Sequence, residues 1–104
     1  MQNLANSVWE EEYTLQFAEV LVLIDDSTIM KNFLRDVMTE KEIIEISARL
    51  QAAKMLQEGI KYTEIIEKTR LSSRTIARIS DWMQNGKGGY ASALQLTSEH
   101  HSHM

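Results

Sequence analysis

Arg74, Thr75 and Arg78 stand close together in the run Ser72-Ser73-Arg74-Thr75-Ile76-Ala77-Arg78. On a helix, residues one turn apart share a side, so Arg78 falls on the same side as Arg74 and Thr75. Cations and hydroxyls on one helical side can bond to phosphate oxygens and to the edges of bases. The chemistry this suggests is recognition of a polyanion, with no bond made or broken. Arg74 could reach a guanine edge, while Ser73 and Ala77 could meet base edges or a thymine methyl. Lys61, Thr63 and Lys68, earlier in the same stretch, are better placed for phosphates. Ser72 reads as an N-cap, and the helix start that follows it offers free amides and a positive dipole end to an anion.

Two short helices and a tight turn must position these side chains. The spacing predicts a helix-turn-helix over 60–84, with a first helix from Tyr62 to Lys68 and a second from Ser72 to about Gln84. Ile65, Leu71, Ile76 and Ile79 fall where such a unit needs apolar residues. Two positions depart from the usual pattern. Arg70 stands at the turn where a glycine is common, and Ile66 where a small residue is common.

The rest of the chain reads as scaffold. A first helix is expected from Leu4 to Leu23, apolar on more than one side after Phe17, which implies burial on several sides or against a second subunit. Asp25-Asp26-Ser27 caps a second helix bearing Ile29, Met30, Phe33, Leu34, Val37 and Met38. Thr39-Glu40-Lys41-Glu42 fits a capping box for a third, with Ile43, Ile46, Leu50 and Ala53 on one face and a stop near Gly59. Asn85-Gly86-Lys87-Gly88-Gly89 should break the chain before a short last helix from Tyr90 to Leu96. One domain over 1–97 is expected, followed by a flexible tail over 98–104.

Composition supports this outline. The 104 residues include no proline, only 4 glycines and no cysteine. An all-α fold follows from the first two counts. The absence of cysteine removes disulfides and thiolate metal sites, and is compatible with a reducing cytoplasm. The net charge of −4 is unevenly spread. Residues 1–58 hold five Lys/Arg against eleven Asp/Glu, whereas 59–87 hold six against three. A basic segment on an acidic body is compatible with a DNA-binding face oriented by its own field. The apolar run from Phe17 to Ile24 is too short to span a bilayer, and no secretory leader is expected at the N-terminus.

Several stretches together identify the chain as resembling a known family. These are Met38-Thr39-Glu40-Lys41-Glu42, Ser47-Ala48-Arg49-Leu50-Gln51, Met55-Leu56-Gln57-Glu58-Gly59 and Thr75-Ile76-Ala77-Arg78. They look like the tryptophan repressor superfamily, and Asn85-Gly86-Lys87-Gly88-Gly89-Tyr90 is similar to its YerC/YecD-related branch. The resemblance covers roughly residues 15–95. It implies a six-helix fold in an intertwined homodimer, two reading heads on a palindromic operator, and transcriptional repression at the bacterial nucleoid. The family's tryptophan-responsive members hold their ligand with two arginines and two threonines, which match Arg49, Arg78, Thr39 and Thr75. Ile79 and Trp82 replace small residues of that pocket and are expected to fill the space of the ligand's indole. L-Tryptophan is therefore not expected as co-repressor, and no other cofactor is implied.

The same sequence bears on other functions. No glycine-rich phosphate loop is present, and no histidine lies within the folded region, so an enzyme is not expected. His100, His101 and His103 could pick up a transition metal, but their position in the tail suggests adventitious binding and no metal site. The six methionines fall mainly at core positions. The main alternative to a DNA-binding regulator is a helix-turn-helix serving as a protein-interaction module. An amino-acid-responsive repressor using the pocket residues is a further one.

Overall fold

The computed structural model describes residues 7–102. These form six α-helices and one 3-10 turn, with no strand among them. The fold is all-α. The described residues up to Glu40 make one compact unit and those from Lys41 onward a second. No helix among the described residues is long and apolar enough to cross a membrane.

The first unit opens with a 3-10 turn over Val8–Glu10, where the Ser7 hydroxyl accepts the Trp9 N–H at 3.1 Å. Glu11 is extended, and α1 follows over Glu12–Leu23. The single helix expected from Leu4 to Leu23 is thus interrupted, and its expected start lies outside the described residues. Thr14 accounts for the break: its hydroxyl hydrogen lies within reach of the carbonyls of both Val8 and Glu11. A side chain that satisfies backbone acceptors in this way competes with helix continuation. Asp26 caps α2 (Ser27–Val37) by accepting the Ile29 N–H at 2.9 Å, as its type predicts. The rings of Phe17 and Phe33 lie 6.1 Å apart and bring α1 against α2. No described residue of this unit is buried.

The second unit is built on α3 (Glu40–Gln57). Its C-terminus closes as a Schellman motif, with Ile60 N–H donating to the Met55 carbonyl and Gly59 N–H to that of Leu56, each at 3.0 Å. The motif needs a left-handed residue, and Gly59 supplies it at φ 79° without a Cβ penalty. α4 (Tyr62–Thr69) and α5 (Ser73–Asn85) then form the helix-turn-helix. α6 runs over Gly89–Ser102, past the expected end at Leu96. Nothing in Thr97-Ser98-Glu99 breaks a helix: Thr97 donates to the Ala93 carbonyl and Gln95 to Glu99, each one turn away.

The core of this unit comprises Ala52, Ala53, Ile65, Ile76, Ile79 and Leu94, with Leu71, Met83 and Tyr90 packed around it. Ile65, Leu71, Ile76 and Ile79 therefore occupy the inner positions their spacing predicted. Ile46 and Leu50, expected on the same buried face as Ala53, are 55% and 44% exposed. On α3 the buried positions are instead the small residues Ala52 and Ala53, both fully enclosed in the core cluster. The bulkier Ile46 and Leu50, earlier on the same helix, open onto a groove.

Candidate nucleic-acid interface

The first turn of α5 sets the geometry of the site. The Ser72 hydroxyl accepts the Thr75 N–H at 3.1 Å and donates to the Thr75 hydroxyl oxygen at 3.0 Å. This cap consumes the Ser72 hydrogen but leaves the Thr75 hydroxyl with its own hydrogen to give. Beyond the cap the helix divides by face. Ile76 and Ile79 are completely buried, whereas Ser73, Arg74, Ala77 and Arg78 are exposed. Core packing of the first pair fixes the rotation of α5 and so turns the second set outward.

Lys61, Thr63 and Lys68 on and beside α4 are exposed as well, and Ser72 with them; Thr75 is half-buried. Of the sequence-predicted interface residues, Ser72 and Thr75 are thus joined as a cap. The ion pair formed among the described residues is Arg49 with Glu45, at 3.2 Å. The cations from Lys61 to Lys87 take part in none there, and their charge faces solvent.

Arg70 was not among the interface residues expected from sequence. It ends α4 at φ 64°, ψ 11°, with its N–H donating to the Ile66 carbonyl at 2.8 Å, and it is the described non-glycine residue with positive φ. A left-handed conformation costs a side-chain-bearing residue roughly 1–2 kcal/mol. A cation at a helix C-terminus returns about 0.3–1 kcal/mol through the dipole. Helix stability alone therefore does not account for an arginine here. The sequence signal for it was the departure from glycine at the turn.

The residues matched to an effector pocket are dispersed in role. Arg49 is held by Glu45, and its Nε is buried without a partner. Ile79 belongs to the core. Trp82 is 43% exposed and lines a groove of about 770 Å³ with Ile46, Arg49, Leu50 and Tyr90. Arg78 faces solvent, and Thr75 serves the cap. Thr39 is exposed and belongs to the first unit, the others to the second. Arg49 and Trp82 are brought to one groove; Arg78 and Thr75 do not line it. The side chains of His100, His101 and His103 lie outside the described residues. Among the described residues no group of acidic or histidine side chains is arranged to hold a metal.

Comparisons with known proteins point to one family and one fold. The family model for the Trp repressor protein matches residues 12–98. The uncharacterized protein YerC of Bacillus subtilis is 36% identical over 67 residues, which cover 64% of each chain. This chain thus aligns with slightly under two thirds of that relative. Among solved structures, a TrpR-like protein from Eubacterium eligens superposes with a TM-score of 0.83 at 30% identity, covering 89% of this chain and 96% of the other. A Trp repressor-like protein from Staphylococcus aureus gives 0.79 at 26% identity with the same coverage.

Proposed function

The chain belongs to the Trp repressor family, a family of regulators and not of enzymes, and from that premise we propose that it is a sequence-specific DNA-binding transcriptional repressor. The observation that carries the reading is the exposure of Arg74 and Arg78 on the outer face of α5, while Ile76 and Ile79 anchor the inner face. A helix so presented fits the major groove, about 12 Å wide, with its N-terminal side chains at the base edges. Arg74 and Ser73 read bases. Lys61, Thr63 and Lys68 hold phosphates.

Two copies act together in this reading. The first unit lacks a buried residue among those described, yet it exposes Tyr13 at 70%, Val22 at 83% and Leu23 at 79%. Apolar surface of that kind marks an association site. A two-fold dimer would place two reading heads about 34 Å apart, one helical turn of DNA, on a palindromic operator; the Trp repressor itself is one of the systems behind that spacing rule.

Binding to DNA requires no tryptophan in this proposal. Ile79, where the family's responsive members carry a glycine, fills the core, and Trp82 borders the groove beside Arg49. Isothermal titration with L-tryptophan should show no heat of binding; a micromolar dissociation constant would overturn this part of the reading.

The experiment for the proposal as a whole is fluorescence anisotropy on a labelled mixed-sequence duplex, followed by selection from random DNA. Affinity should fall linearly with the logarithm of salt concentration, by about 0.9 in slope for each phosphate contacted. Selection should enrich an inverted repeat. No duplex binding at low salt would remove the function.

A further inference from the structure

We propose that Arg70 is a phosphate-positioning residue, an addition to the reading head at the turn between α4 and α5. The proposal rests on the DNA-binding reading above and extends it to a residue held in a conformation that its own type resists. Three observations converge on it. The backbone at Arg70 is left-handed, at φ 64°, and the helix dipole returns less than that geometry costs. Backbone strain of this kind, kept where an unstrained residue would serve, points to a role for the side chain. The guanidinium is exposed and has no ion-pair partner among the described residues, although Glu58, Glu64 and Glu67 border the same shallow groove.

Position supplies the third observation. Arg70 precedes the N-cap Ser72 by two residues, so their Cα atoms are at most about 7.6 Å apart. Duplex DNA carries one phosphate charge per roughly 1.7 Å of its axis. A duplex that admits the first turn of α5 therefore brings backbone phosphates to the turn. A planar, forked guanidinium grips such an oxygen pair through two parallel hydrogen bonds. Arg70 thereby sets the register of α5 in the groove without reading a base.

The test uses the full chain with R70G and R70K, measured by anisotropy on a mixed-sequence duplex across a salt series, with thermal melting alongside. R70G removes both charge and strain. Its melting temperature should hold or rise, and its salt slope should fall by about 0.9 per bound copy. From about 50 to 200 mM salt, the parent's affinity should then drop about 3.5-fold more per copy than that of R70G. R70K should restore most of the slope, because it retains the charge. Equal slopes for parent and R70G would overturn the proposal while leaving DNA binding intact. A lower melting temperature with an unchanged slope would assign Arg70 to folding alone and equally overturn it. If the parent fails to bind the duplex, the functional reading falls, and this inference falls with it.

Discussion

At the scale of single residues, Arg74 and Arg78 owe their availability to what lies behind them. Ile76 and Ile79 are completely buried, and a helix with two such anchors cannot roll without opening cavities that cost several kcal/mol. The arginines are thus held out in a fixed direction, which is what base recognition demands. Arg74→Ala should weaken binding to the selected operator by about 1–3 kcal/mol and relax the preference at one base pair, with little loss on mixed-sequence DNA. Competition anisotropy with operator variants measures both. Unchanged operator affinity would show that Arg74 reads nothing. The types and spacing of these residues were legible before any coordinates, because a helical period alone puts them on one side. The engagement of Ser72 with Thr75 was half legible. Serine announces a cap, but the hydroxyl-to-hydroxyl bond of 3.0 Å depends on rotamers that only the folded turn selects.

At the scale of elements, starts and stops follow local chemistry closely. Asp26 and Ser72 cap through their side chains, and Gly59 ends α3 in the left-handed region. Gly86 is a sharper case. A Cβ built there would stand 2.4 Å from the Trp82 carbonyl oxygen, the same oxygen that accepts the Gly86 N–H at 2.8 Å. Gly86→Ala should force the end of α5 to shift and destabilise the protein by about 1–3 kcal/mol, read as a lower urea midpoint. A midpoint equal to the parent's would mean that the segment relaxes freely. The break between the 3-10 turn and α1 was not legible, since Glu10-Glu11-Glu12 contains no breaker. It depends on where the Thr14 hydroxyl finds its acceptors. The extent of α6 was not legible either, because the apolar pattern stops after Leu96 while no helix-stopping residue follows it.

At the scale of the whole molecule, the two units differ in how they are stabilised. Among its described residues the second has a core of six buried ones, from Ala52 to Leu94. The first has none among its described residues and exposes large apolar side chains along α1 and α2. Such a unit gains little from burial within one chain, so association should supply what it lacks. Sedimentation should show a dimer across the micromolar range, and Tyr13→Glu should shift it toward monomer at the same concentration. A monomer independent of concentration would remove the paired-head arrangement. What the sequence by itself determined is the all-α class, the helix-turn-helix and the outward cationic face, because periodicity, caps and charge act over one or two turns. What only the tertiary structure decided is which apolar residues became core. Ile46 and Leu50 look as suited to burial as Ala53. The fold enclosed the two small residues, Ala52 and Ala53, and left the larger pair lining a groove, an outcome set by packing across distant segments that no local pattern encodes.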